Sequence, residues 1–158
     1  MGRQRAFRVE DGFTLIELMV VVLILGILIA IGLPMFLGAK VRAQERAAQG
    51  VLRTAQTAGL AYWTQGGTFT ALGANCTGVP DSCDVADAEE GSLAWVGSRE
   101  PAQGEVSIVL AAGNTLLVVT RASSGEFFCI AQSSGQSERG RAVTFASMDS
   151  MPECVGGW

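Results

Sequence analysis

Histidine is missing from all 158 residues, which removes the side chain that most often serves as a general base or metal ligand near neutral pH. Charge is missing too, from Leu18 to Ala39, where most positions are Leu, Ile, Val, Met, Phe or Ala. As a helix those 22 residues span about 33 Å, enough for a bilayer core of about 30 Å. The remainder of the chain is too small to wrap such a helix on every side, which argues against a fully buried core helix. No small-residue cleavage site of the A-x-A kind follows the run, and a secretory signal has a shorter apolar region of roughly 7–15 residues. The segment therefore reads as a retained membrane helix.

Bases become scarce further on. Residues 67–158 carry eleven acids, Asp81, Asp84, Asp87, Glu89, Glu90, Glu100, Glu105, Glu126, Glu138, Asp149 and Glu153, against Arg99, Arg121, Arg139 and Arg141, a net charge of −7. An acidic head repels phosphate and argues against direct nucleic-acid binding. No nucleophile–base pairing and no phosphate loop emerges, so no catalytic residue and no cofactor is assigned. Asp81, Asp84, Asp87, Glu89 and Glu90 lack the glycine and loop spacing of an EF-hand and read as a solvated acidic loop, with no metal site. Asn75-Cys76-Thr77 matches a glycosylation acceptor in form, but a bridged Cys76 makes it awkward.

Four cysteines, Cys76, Cys83, Cys129 and Cys154, lie beyond the apolar run. An even count after a membrane segment reads as two disulfides in an oxidising compartment. Three pairings are possible. Cys76–Cys83 and Cys129–Cys154 each close a local loop and are favoured, contributing about 2.5 and 3.5 kcal/mol on the chain-entropy model. The spacings match no compact zinc finger. Arg3, Arg5 and Arg8 precede the span and favour an internal N-terminus. Lys40, Arg42, Arg46 and Arg53 follow it, so the oxidising environment the cysteines need decides the orientation better than the basic residues do.

After Pro34 the pattern turns amphipathic. Ala47, Val51, Ala55, Ala58 and Tyr62 fall within an arc of about 80°, with Arg42, Arg46, Gln49, Arg53 and Gln56 opposite. Leu60 lies on the polar side, exposed or in contact with another chain. Gly66-Gly67 is a helix stop, so one helix of about 80 Å is predicted from Phe13 to Gln65. Residues 67–92 read as a loop. Strands are predicted at Leu93–Val96, Glu105–Ala112, Thr115–Arg121, Glu126–Gln132 and Arg141–Ala146. Gly113-Asn114 and Ser123-Ser124-Gly125 have hairpin-turn chemistry, which makes the middle three strands an antiparallel meander. Ser133–Ser137 reads as a polar loop. Val106, Ile108 and Leu110 mark an apolar strand face that the amphipathic half of the helix is expected to cover.

The junction Gly12-Phe13-Thr14-Leu15-Ile16-Glu17-Leu18 resembles the prepilin motif of type IV pilins and their relatives. It has a short basic leader, a glycine before the cut, a phenylalanine after it and a glutamate at the fifth residue beyond. Gly26 and Pro34 also sit where the family often has glycine and proline. The resemblance is strong over residues 8–40 and only architectural beyond about residue 66. It implies cleavage between Gly12 and Phe13 by a prepilin peptidase, and N-methylation of Phe13 by the same enzyme. It implies an α+β, pilin-like "lollipop": a leader at residues 1–12, a transmembrane and assembly helix at 13–39, and a globular head at 40–158. Within the head, an amphipathic helix (40–66) and a loop (67–92) precede a sheet and disulfide-bonded region (93–158).

A carboxylate in an apolar span costs about 2.5–3.5 kcal/mol on insertion scales, which marks Glu17 as a functional candidate. The plainer alternative is a glutamate tolerated near the interface. After cleavage the α-amine of Phe13 brings a positive charge into the same region. Opposite charges about 4 Å apart attract by about 4 kcal/mol at an effective dielectric near 20. Glu17 of one subunit is therefore expected to pair with that amine in the next and set axial register. Gly26, Gly32 and Pro34 are poor helix residues, and Pro34 leaves the carbonyl of Ala30 without its helical donor. That stretch is expected either to unwind on assembly or to make a mild kink.

The resemblance implies a subunit that inserts in the cytoplasmic membrane with its head outside, then polymerises with itself into a surface pilus. Its implied partners are the peptidase, the membrane, and an assembly platform with its ATPase motor. A type II secretion pseudopilin and a minor pilin share the motif. From another class, an anchored binding or enzymatic domain would need a ligand pocket and would not polymerise.

Overall fold

The computed structural model describes residues 12–66, 68–74, 76, 83–148 and 150–158. Residues 1–11 of the leader, Gly67, Asn75, Thr77, Asp81 and Asp149 lie outside the described residues. The chain divides after Ala39 into two compact units.

In the first unit, helix α1 (Leu15–Gly66) begins at Leu15 and runs through Pro34 without a break. Its large apolar side chains from Leu15 to Leu37 are exposed, between 46% and 76%. Mean hydropathy reaches 3.0 over an 18-residue window that is nowhere buried, so the helix is long and apolar enough to cross a membrane.

In the second unit α1 continues from Lys40, followed by α2 (Thr70–Ala74) and α3 (Asp84–Glu89). Strands β1 (Ala94–Val96), β2 (Glu105–Ala112), β3 (Thr115–Arg121), β4 (Phe127–Ser133) and β5 (Gln136–Ala142) form one sheet in the order β1-β2-β3-β4-β5. β1 runs parallel to β2, and the other neighbours are antiparallel. The fold is α+β, a long helix packed on a mostly antiparallel sheet. The stretch read as loop at 67–92 carries two short helices, with α2 packed on β2 and α3 on β1.

The helix meets the sheet through Ala48, Leu52, Ala55, Ala58 and the glycine at 59, all buried, against Val106, Ile108, Leu116, Val118, Phe128 and Ile130. This buried face is rotated slightly from the predicted arc, and Ala47 is exposed. In an alanine-rich helix several arcs are nearly equally apolar, and close packing selects the one with a glycine. Leu60, expected to be exposed or in contact with another chain, is partly buried against its own core.

β2 also departs from simple alternation. A bulge between Ile108 and Leu110 adds a residue and reverses the faces beyond it. Leu110 therefore points out at 36% exposure, and Ala111 takes the inward place.

The last strand is displaced from the predicted Arg141–Ala146 to Gln136–Ala142. Ser133 pairs with Gln136 across a two-residue turn in which Ser134 and Gly135 have φ of 47° and 86°, the sign pattern of a type I′ hairpin turn. β5 is an edge strand of mostly exposed polar residues, so it carries no hydrophobic signal. The apolar VTFA run that suggested a strand instead ends in a 3₁₀ turn at Phe145–Ser147, with Val143 79% exposed.

The sheet's other face is also covered. Leu117, Val119, Phe127, Cys129 and Ala131 pack with Met148 and Cys154. Disulfides join Cys76 to Cys83 and Cys129 to Cys154. The C-terminal segment then runs along the β5 edge, where Gly156 bridges to Gly140 and the N–H of Gly157 donates to the carbonyl of Arg139 at 2.9 Å. This covers part of an edge that would otherwise offer open backbone groups.

A Cβ at Gly140 would lie 2.6 Å from the nitrogen and 2.7 Å from the oxygen of Val155, both backbone atoms of a segment tied down by its neighbour Cys154. Gly140→Ala should therefore destabilise the head by about 1–3 kcal/mol. The urea midpoint of the full chain in detergent measures this, and an unchanged midpoint would show that the segment moves aside freely.

Candidate functional site

Gly12, Phe13 and Thr14 are not helical, and α1 starts immediately after them. Gly12 has no neighbouring atom within Cβ reach, and Phe13 is 80% exposed. A peptide bond in an open, non-helical segment is accessible to a peptidase cleft. From Leu15 onward the backbone is committed to the helix.

Thr14 and Glu17 cap the helix reciprocally. The Glu17 N–H donates to Thr14 Oγ1 at 3.3 Å, while Glu17 Oε2 accepts from the Thr14 N–H at 3.2 Å and from its hydroxyl at 2.9 Å. The Leu18 N–H donates to the Thr14 carbonyl at 3.3 Å and closes the first turn. This is a capping box, in which a threonine and a glutamate three residues later each satisfy a backbone N–H that the helix leaves unpaired. It also sets a carboxylate at the positive end of the helix dipole. Oε1 of Glu17 accepts no hydrogen bond among the described residues.

The predicted assembly residues therefore occupy one stretch of helix. Gly12 and Phe13 precede it, Glu17 lies in its first turn, and Gly26, Gly32 and Pro34 lie along it with no contact at the two glycines. The cysteines belong to the head, where their sulfurs are joined in two disulfides. The residue that sequence reasoning missed is Thr14. Its signal was the T-x-x-E spacing from Thr14 to Glu17, overlooked because the glutamate was weighed as a membrane charge and not as a cap.

Among the described residues no group of three or more His, Cys, Asp or Glu is arranged to hold a metal ion. At the end of α3, the hydroxyl and the backbone N–H of Ser92 both donate to Glu90 Oε1, at 2.6 and 3.2 Å. These bonds hold that carboxyl below its ordinary range, with the hydroxyl contributing most.

The capping box predicts that Thr14→Val weakens the first turn by about 0.5–2 kcal/mol. Amide exchange at Ile16 and Glu17 in micelles should become correspondingly faster while exchange in the head is unchanged. Equal protection in both proteins would show that the cap does not hold the turn.

Residues 8–33 match the family defined by the prokaryotic N-terminal methylation motif. No curated protein and no solved structure matches the chain.

Proposed function

We propose that this chain, whose residues 8–33 match the prokaryotic N-terminal methylation motif, is a type IV pilin-like structural subunit cut at Gly12–Phe13 and polymerised with copies of itself into a surface pilus. The motif and the apolar helix fit a membrane-anchored precursor, and proteins of this type are structural subunits, not enzymes. The observation that carries the proposal is the long helix of exposed apolar side chains, headed by an open junction and a carboxylate with one free oxygen. Lipid covers that surface in the precursor, and neighbouring helices cover it in a fibre.

In this reading a prepilin peptidase releases the amine of Phe13 and methylates it. Glu17 of a subunit already in the fibre then takes up the amine of the next one. Gly26, Gly32 and Pro34 supply a stretch that can unwind where helices pack, since the carbonyl of Ala30 already lacks its N–H partner. An assembly platform driven by an ATPase motor supplies the work of extraction from the membrane. The bond between Cys129 and Cys154 supports a surface pilus over a secretion pseudopilus, because a fibre outside the cell gains most from stapled heads.

Two outcomes test this. Protein sheared from cells and sequenced from its N-terminus should begin at N-methylated Phe13, and fibre protein beginning at Met1 or Gly2 would refute the processing step. Glu17→Ala should leave membrane-bound precursor at wild-type abundance while surface fibres fall sharply, because an unpartnered buried charge typically costs 3–5 kcal/mol and the loss recurs at each added subunit. Normal fibres from cells making only this variant would remove Glu17 from the assembly step.

A further inference from the structure

Apart from the pairs Arg99–Glu105, Arg121–Glu100 and Arg141–Glu126, the head carries a basic group and an acidic group on opposite edges of the sheet. At the β5 edge, Arg53 of α1 and Arg139 of β5 both lie over the indole of Trp158, their guanidinium carbons 5.3 and 5.1 Å from the ring centroid. The indole is held by an edge-on contact with Phe128 and by its N–H donating to the Cys129 carbonyl at 3.3 Å. Arg42 and Arg46 lie on the same side of α1 as Arg53, by the 3.6-residue period. Arg42, Arg46, Arg53 and Arg139 are exposed and form no ion pair among the described residues. Glu45 is the acid interspersed on this stripe, and Glu138 is directed to the other face beside Ala131.

At the β1 edge acids predominate, and Arg99 there is paired with Glu105 at 2.9 Å. Asp84, Asp87, Glu89 and Glu90 lie on or beside α3, which the Trp95 N–H ties to β1 through the Glu90 carbonyl at 3.0 Å. Their bonds go to the Cys83 N–H, the Gln65 amide and Ser92. They form no ion pair among the described residues either. Four strand spacings, about 19 Å, separate the edges, so the two groups cannot meet within one head.

We propose that the Arg53–Trp158–Arg139 edge of one subunit docks on the α3 edge of a second copy. This rests on the polymeric function proposed above and adds the surface by which heads recognise one another. Charge complementarity identifies the occupant. The basic edge needs an anionic, protein-sized surface, and the opposite edge of the same molecule is one. Because the two patches differ, the contact is heterologous and does not close on itself as a two-fold dimer does. Repetition of such a contact makes an open filament wherever its rotation does not close a ring. The ring holds both guanidinium groups in place before contact, so less side-chain freedom is lost on docking.

Charge reversal in the full chain tests this, with surface fibre yield read against membrane-bound precursor. Arg53→Glu/Arg139→Glu makes both edges acidic, and Asp84→Arg/Glu89→Arg makes both basic. Each variant alone should lose fibres by about tenfold or more, since like charges across an interface cost several kcal/mol. Produced together, the two variants should restore fibres to near the wild-type level, with both chains in every fibre, because each acidic edge then faces a basic one. That rescue cannot come from a misfolded variant or from an intrachain pair. Full fibre yield from either variant alone would overturn the proposal. So would failure of the mixture to assemble while both variants keep their disulfides and membrane abundance, which would assign the basic edge to another anion such as a lipid headgroup. Absence of fibres from wild-type cells would refute the polymeric function itself, a result distinct from either of these.

Discussion

An apolar helix surface that its own chain leaves uncovered is the constraint on which the rest of this protein depends. From Leu15 to Leu37 the large side chains are exposed, and the burial of such surface is the main favourable term in folding and association. Lipid satisfies it at no cost in specificity. Hydrocarbon tails are as apolar as leucine, however, so the exchange of lipid for neighbouring helices brings little net hydrophobic gain. In the proposed fibre, selectivity would come from the few residues in the stretch that are not simply apolar. Those are Glu17, the two glycines, Pro34 and the capping threonine.

The head has a different task, to remain folded outside the membrane on a small core. It covers both faces of a five-stranded sheet, one with the amphipathic half of α1 and the other with the C-terminal segment. A disulfide from Cys129 in β4 to Cys154 anchors that segment, and the bridge from Gly156 lays it along the β5 edge. Trp158 joins the two coverings, since it touches Phe128 on the helix side while Arg53 reaches it from α1. The helix, the edge strand and the chain's last turn are thus tied at one corner of the sheet.

Much of this was legible in the sequence, where periodicity or turn chemistry was strong. The long helix, β2, β3 and β4 follow from their hydrophobic runs and from Gly113-Asn114, and together they give the fold class. What escaped did so for physical reasons. β5 is an exposed edge whose residues answer to solvent, so no apolar alternation marks it. The bulge after Ile108 shifts the side chains without any compositional sign. The helix face was misjudged by a small rotation because alanine offers too little contrast to fix a phase. Helices α2 and α3 are five and six residues long, shorter than the two turns or so that a 3.6-residue period needs to be seen. At the candidate site, Glu17 stood out because a charge in an apolar run is costly, whereas Thr14 is recognised only in relation to Glu17.

The capping box also changes how the role of Glu17 should be understood. In the single chain its carboxylate is already bonded to the amide and hydroxyl of Thr14, so the precursor does not carry a bare charge into lipid. In the proposed assembly Glu17 exchanges partners, and the net gain is smaller than the full attraction between amine and carboxylate. The threonine also keeps the carboxylate oriented before a neighbour arrives, with Oε2 bonded and Oε1 open. In the proposed fibre the amine of an incoming subunit would meet a preorganised acceptor, in a turn held by the same hydrogen bonds.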